Sequence, residues 1–94
     1  MQVNDPQLER IARGVVWWEA PEATLADQDN FLNRVMARGF WEEMKFVEKF
    51  YGEDALRKAL KSSKPGVFDL ASWHYWHHRL GFDSVPERPA RSFE

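Results

Sequence analysis

The chain has 94 residues, contains no cysteine and carries a formal net charge of −2 at pH 7. A chain of this length forms one domain, the lack of cysteine excludes disulfides and thiolate chemistry, and the weak negative charge excludes a strongly basic nucleic-acid binder. Five tryptophans, seven phenylalanines and two tyrosines are more rings than so small an interior easily covers. This excess favours a partner surface, and the alternative is that all the rings pack inside.

Charge is distributed unevenly along the chain. Residues 1–30 contain six acidic and two basic side chains, a sum of −4, whereas residues 53–80 contain five basic and three acidic ones, a sum of +2. The sequence has no apolar run near the roughly 18 residues of a membrane span and no signal-peptide pattern at its N-terminus. We therefore expect a soluble cytoplasmic protein with an acidic N-terminal third.

A first helix is predicted from residue 6 to about residue 16. Asp5 is a candidate N-cap, and it is followed by a proline at the position that best tolerates one. Pro21 disfavours helix in the residue before it, so the chain leaves the helix through Trp17 and Trp18. Adjacent side chains cannot both face the same core, and we expect at least one of these two rings to be exposed.

Three more helices are predicted between residues 28 and 60, hinged at Gly39 and Gly52. Asp27 is a candidate N-cap for the second helix, and Gly39 is expected to end it as a C-terminal cap residue. The third helix, 40–51, is expected to be the core helix because its apolar residues recur at helical spacing. Its inward stripe contains Phe40, Met44, Val47 and Tyr51, widened by Phe50.

A fifth helix is predicted from Asp69, a candidate N-cap, to Leu80. Its core face contains Leu70, Trp73, Trp76, His77 and Leu80, and Gly81 with Phe82 is typical of a Schellman ending. The fold class predicted by these patterns is all-α, a compact bundle of four to five short helices over residues 1–83. Residues 84–94 are predicted to form an extended or disordered tail.

The three histidines, His74, His77 and His78, share the fifth helix and suggest a metal site as one interpretation. A complete site needs further ligands, no cysteine supplies them, and no glutamate lies between the histidines as a general base. The interpretation that needs no ligand is one half-buried imidazole and two surface ones. We expect no metal and no cofactor, and, since no nucleophile constellation stands out, no enzymatic activity.

A helix-turn-helix-like element at residues 54–80 suggests a second kind of function. Lys58, Lys61, Lys64 and Arg79 lie in it and would contact DNA phosphates. Against this, the turn is longer than usual and the candidate recognition helix is crowded with Trp and His. A small DNA-binding transcriptional regulator is therefore the alternative function.

The third candidate site combines the helix exit at Trp17-Trp18-Glu19, the helix that carries Trp73 and Trp76, and the C-terminal tail with its prolines and arginines. Aromatic rings and arginine anchor protein interfaces, and a tail that orders on binding can wrap a partner. The alternative is that the tryptophans form the core and that the tail has no role. The candidate partner-binding residues are Trp17, Trp18, Glu19, Glu22, Arg88 and Arg91.

Several segments in this order are similar to one family. They are Trp17-Trp18-Glu19, Arg34-Val35 with Gly39, Tyr51-Gly52-Glu53, Leu56-Arg57 with Ala59-Leu60, and a Trp-containing helix that closes in Leu80-Gly81-Phe82. The chain resembles, over about residues 15–82, a small bacterial and archaeal helical domain often encoded beside nucleotidyltransferase toxins of the AbiEii kind. The histidine-rich segment at 74–78 departs from the plainer apolar helix of that family.

The resemblance implies a non-enzymatic antitoxin that binds and neutralises a cognate nucleotidyltransferase-type toxin by direct contact. A toxin that modifies RNA needs a basic surface, and the acidic N-terminal third would complement it. Operator DNA is a second partner that the sequence leaves open. It also leaves open whether the chain is a monomer or a homodimer.

Overall fold

The structure is a computed structural model and describes residues 5–89. In this range the chain forms six α-helices and no β-strand, which confirms the all-α prediction. The helices are α1 (Pro6–Val15), α2 (Pro21–Ala26), α3 (Gln28–Arg38), α4 (Trp41–Tyr51), α5 (Glu53–Lys61) and α6 (Leu70–Arg79). None of the helices described is long and apolar enough to cross a membrane.

The predicted count of four to five helices is wrong because it omits α2. Pro21 is the first residue of α2, where its missing N–H and fixed φ are tolerated. A proline also disfavours helix in the residue before it, and the sequence-based prediction rests on that effect alone. Thr24 and Leu25 of α2 are buried, so this short helix is stabilised by packing.

The central helix of the bundle is α3. It packs against each of the other five helices, and Phe31 and Leu32 are fully buried in it. Its Asn33 is also buried and donates a hydrogen bond from Nδ2 to the carbonyl oxygen of Ala59 at 2.8 Å. This bond joins α3 to the last turn of α5.

The prediction that α4 is the core helix is wrong. Met44 and Val47 of its predicted inward stripe are buried, but Phe40 and Phe50 are exposed. Phe40 precedes the helix as its N-cap residue with extended backbone, so helical spacing does not determine where its ring points. Its backbone N–H instead donates to Oε1 of Glu43 at 3.0 Å, which completes a cap on the first turn of α4.

Gly39 separates α3 from α4 by a mechanism other than the predicted left-handed cap. Its φ is −72°, a value open to any residue. A Cβ atom at this position would lie 2.7 Å from the carbonyl oxygen of Val35, so the glycine permits a close backbone approach.

The end of α6 has the predicted Schellman geometry. Gly81 has a φ of 78°, in the left-handed region. The N–H of Phe82 donates to the carbonyl oxygen of His77 at 3.0 Å, and the N–H of Gly81 donates to the carbonyl oxygen of His78 at 3.2 Å. The ring of Phe82 packs back on the imidazole of His77, with 5.0 Å between their centroids. The chain thereby reverses and lies against α6.

Residues 84–89 of the predicted tail have no helix and are held against the body. Val85 packs on the hydrophobic core, and Nε1 of Trp73 donates to the carbonyl oxygen of Pro86 at 2.7 Å. Arg88 donates from Nη1 to the carbonyl oxygen of Phe68 at 3.0 Å. Arg91 lies outside the described residues.

Candidate functional site

The turn between α1 and α2 forms a surface that we term the tryptophan corner, made of Trp17, Trp18, Glu19 and Arg34. Val16 is buried and Pro21 begins α2, so the chain must turn between them. Trp17 is 77% exposed and Trp18 is 51% exposed, which confirms that at least one of the two rings faces solvent. Their rings meet edge to face, with 5.5 Å between centroids.

Two contacts fix the shape of the tryptophan corner. The guanidinium carbon of Arg34, on α3, lies 5.4 Å from the centroid of the Trp18 ring, within the range of a cation–π interaction. The hydroxyl of Thr24, which is fully buried, donates to Oε1 of Glu19 at 2.8 Å. Glu19 therefore helps to hold the turn, and the two exposed rings are presented by an ordered segment.

The acidic side chains of Asp27 and Glu22, which follow the corner's two tryptophans in the chain, differ in whether internal contacts engage them. Asp27 accepts a hydrogen bond from the N–H of Asn30 at 3.4 Å as the N-cap of α3, and its second oxygen lies 3.6 Å from Nζ of Lys64. Glu22 is exposed in the first turn of α2 and has no hydrogen bond or ion pair among the described residues. Of these two carboxylates, Glu22 is therefore the one that no internal contact engages in the described range.

The structure brings together four of the six predicted contact residues. Trp17, Trp18, Glu19 and Glu22 follow one another on the same turn and the helix start after it. Arg88 instead contacts the loop before α6 through the carbonyl of Phe68, where it ties the tail to the body. Sequence spacing alone offers no sign of this internal role.

The three histidines of α6 have different environments. His77 is 3% exposed, and its Nδ1 lies 2.7 Å from the carbonyl oxygen of Trp73. Because a carbonyl oxygen can only accept a hydrogen bond, Nδ1 is the donor. His74 and His78 are exposed. No group of three or more metal-ligating side chains is clustered within residues 5–89. The arrangement of His77 is that of a packed core residue.

Helices α5 and α6 do not form a compact helix-turn-helix. Residues 62–69 separate them, and both pack against α3. Arg79 is engaged by Glu48 of α4 at 2.8 Å, and this hydrogen bond raises the pKa of the Arg79 guanidinium. Trp73 and Trp76 of the candidate recognition helix are buried in the core. The element therefore offers fewer available cations than its sequence suggests.

A second surface was missed by sequence reasoning. We term it the aromatic groove, an open hollow of about 420 Å³ between α4 and α6. Its floor comes from α3, and its walls carry Trp41, Met44, Tyr75 and Trp76. Phe40, assigned to the core from its spacing, is 78% exposed beside this hollow. Two consecutive large rings directly after a glycine were the sequence signal that could have indicated it.

Comparisons of the chain with models of known protein families, with curated proteins and with solved structures find no match.

Proposed function

We propose that the protein is a non-enzymatic, antitoxin-like protein that binds and neutralises a nucleotidyltransferase-type toxin in the cytoplasm by direct contact. The observation that carries the proposal is the tryptophan corner. Trp17 and Trp18 are exposed side by side on a turn that a buried hydroxyl and a cation–π contact hold in shape. The resemblance noted in the sequence supplies the class of partner.

The energetics of exposed tryptophan support a binding role for this corner. Burial of a large ring against a partner is favourable, and tryptophan is enriched among the few residues that dominate interface affinity. A surface that is already ordered loses little conformational entropy on binding. The corner has both properties, because Arg34 and Thr24 fix the turn before any partner arrives.

The charge near the corner supports the same class of partner. Glu22 is exposed, follows Trp18 by four residues in the chain and has no internal ion pair in the described range. A protein that modifies RNA must present cations to phosphate, and a carboxylate facing those cations speeds association and favours the correct orientation. The corner thus has two exposed apolar rings, and an exposed carboxylate, that of Glu22, follows them in the chain.

The experiment that tests the proposal is co-expression with the product of the neighbouring gene. Size-exclusion chromatography with light scattering is expected to give a stable complex, and the chain is expected to abolish the growth toxicity of its neighbour. The double variant Trp17→Ser, Trp18→Ser should lose both effects while its circular dichroism is unchanged. Leu70→Ser, at an exposed apolar side chain of α6, is the matched control and should lose neither.

Charge reversal provides the second test. Glu22→Arg is expected to weaken the complex at low salt, whereas Asp83→Arg, at an exposed acidic residue after α6, should leave it unchanged. Reversal of Asp27 would be ambiguous because that residue also caps α3. Separate elution of the two proteins with persistent toxicity would overturn the proposal.

A further inference from the structure

Another hollow, which we term the tail pocket, lies between residues 82–89, the end of α5 and one side of α6. Its volume is about 420 Å³, within the range of small-molecule sites. Trp73 and Phe82 line it with aromatic rings, and Pro86 and Pro89 line it from the tail. Nε1 of Trp73 donates to the carbonyl oxygen of Pro86 at 2.7 Å, so a hydrogen bond holds the tail where it forms this wall.

A buried imidazole supplies the tail pocket with an unpaired acceptor. His77 lines the pocket and is only 3% exposed, and its Nδ1 donates to the carbonyl oxygen of Trp73. With the proton on Nδ1, the neutral ring has a lone pair at Nε2. Nε2 has no hydrogen-bond partner among the described residues, and it is not sealed from solvent as the hydroxyl of Tyr51 is. A molecule in the pocket can therefore donate a hydrogen bond to it.

This acceptor lies beside the aromatic part of the wall. The centroid of the His77 imidazole is 4.2 Å from the centroid of the Trp73 ring and 5.0 Å from that of the Phe82 ring. A ligand that reaches Nε2 must therefore pass along two aromatic rings. A flat, apolar group with a hydrogen-bond donor at its edge suits such a wall.

Two side chains of opposite charge also line the tail pocket. Lys61, the last residue of α5, and Glu87, in the tail, are both exposed. Nζ of Lys61 lies 5.9 Å from the centroid of the Phe82 ring, so the ammonium stands beside the aromatic wall. Within residues 5–89 no ion pair joins Lys61 and Glu87 to each other or to another side chain. Both charges are available to a ligand.

We propose that the tail pocket binds a free aromatic amino acid whose ring bears a hydrogen-bond donor, tyrosine or tryptophan. The ammonium of Lys61 binds the carboxylate of the ligand, and the carboxylate of Glu87 binds its ammonium, both as charge-assisted contacts. The ring of the ligand packs against Trp73 and Phe82, and its O–H or N–H donates to Nε2 of His77. A ligand with a single charge fits less well, because one of the two pocket charges would then repel it.

Isothermal titration calorimetry with free amino acids tests the choice of ligand. Tyrosine and tryptophan are expected to bind, whereas phenylalanine lacks the ring donor and should bind about tenfold more weakly. Tyramine lacks the carboxylate and the deaminated analogue of tyrosine lacks the ammonium, so each should also bind about tenfold more weakly than tyrosine. Equal affinities for tyrosine and phenylalanine, or no binding of tyrosine and tryptophan up to their solubility, would overturn the proposal.

Substitutions of the two charged residues test the contacts. Lys61→Ala and Glu87→Ala should each raise the dissociation constant for tyrosine about tenfold or more. Lys58→Ala, on the same helix, and Asp83→Ala, after α6, are the matched controls, because both residues are exposed and neither lines the pocket. The controls should leave the dissociation constant unchanged. Controls that weaken binding as much as the pocket variants would overturn the assignment.

The indole N–H of Trp73 reports where the ligand binds, because it donates to the tail at Pro86. In a proton–nitrogen correlation spectrum, its resonance should shift when tyrosine is added, whereas the indole resonances of Trp17 and Trp18 should not. A ligand that shifts only the resonances of Trp17 and Trp18 would overturn the proposal. The tail pocket and the tryptophan corner share no residue, so these outcomes do not depend on toxin binding.

Discussion

The indole Nε1 of Trp76 donates a hydrogen bond of 2.9 Å to the carbonyl oxygen of Met36, forty residues earlier in the chain. Met36 lies in the last turn of α3, where backbone carbonyls have no partner within the helix. The buried indole satisfies one of them. Trp76 thus caps the central helix and at the same time fixes α6 against it.

Trp76→Phe is expected to lower the free energy of unfolding by about 2–4 kcal/mol. The change leaves the Met36 carbonyl unpaired in a buried site and opens a cavity where the larger ring was. Urea denaturation followed by circular dichroism measures the loss. Trp17→Phe changes an exposed ring and should stay within about 0.5 kcal/mol of wild type. Equal effects of the two substitutions would contradict the assigned role of Trp76.

The parts of the fold that could be predicted are those with local causes. Asp5, Asp27 and Asp69 each accept a backbone hydrogen bond as the N-cap of the following helix, as the sequence indicates. The Schellman ending at Gly81 is likewise decided by a few consecutive residues. In each case the side chain and the backbone group that it satisfies lie within one turn of each other.

The parts that could not be predicted depend on contacts between distant elements. Helical spacing shows which residues share a face, but not which helix lies at the centre, so the spacing predicts α4 where the structure has α3. The sequence predicted that at least one of the two adjacent tryptophans is exposed, but it did not predict the contact of Arg34 with Trp18. The aromatic groove exists only because three helices meet, and no single segment encodes it.

Replacing Gly52 or Gly14 by alanine should change the free energy of unfolding in opposite directions. Gly52 has φ 90° and ψ 160°, a region that is almost restricted to glycine, and Gly52→Ala is expected to cost on the order of 1–3 kcal/mol. Gly14 lies inside α1 and has open space where an added methyl group would stand, so Gly14→Ala should stabilise the protein by about 0.5–1 kcal/mol. Denaturant midpoints of both variants measure the difference, and effects of the same sign would contradict the assignment.

Asp69 should make the stability of the protein sensitive to acid. The hydrogen bond that its carboxylate accepts from the N–H of Ser72, 2.7 Å long, lowers the pKa of Asp69 below its usual 3.8. The pKa is lower in the folded state, so the cap stabilises the fold above about pH 3.8. This stabilisation is lost as the pH falls through the folded pKa.

The variants Asp69→Ala and Asp69→Asn separate the titration from the cap. Asp69→Ala should melt below wild type at neutral pH, and the gap should close in acid as the wild-type carboxylate becomes protonated. Asparagine is a good N-cap without a charge, so Asp69→Asn should keep most of the stability and show little of this acid dependence. Melting temperatures measured from neutral pH into acid test both expectations. A gap for Asp69→Ala that is constant with pH would show that the carboxylate is not the cap.

The hydroxyl of Tyr51 is buried and has no hydrogen-bond partner among the described residues. Its ring packs on Phe31 and Phe50, with centroids 6.3 and 5.0 Å away. Burial, with a further contribution from the Asp5 carboxylate, raises the pKa of Tyr51 above its ordinary 10.0. The phenol therefore stays protonated in the folded protein at a pH where the unfolded chain ionises.

Tyr51→Phe is expected to raise the free energy of unfolding by about 1 kcal/mol, because it keeps the ring contacts and removes a stranded polar atom. The advantage should grow as the pH rises through 10.0, since the wild type then loses stability to ionisation of the unfolded phenol and the variant does not. Urea denaturation of both proteins at neutral and alkaline pH measures the two gaps. A variant that is less stable than wild type at neutral pH would show that the hydroxyl has a hydrogen-bond partner. A stability difference that shrinks as the pH rises would place the pKa of Tyr51 in the folded protein below its value in the unfolded chain.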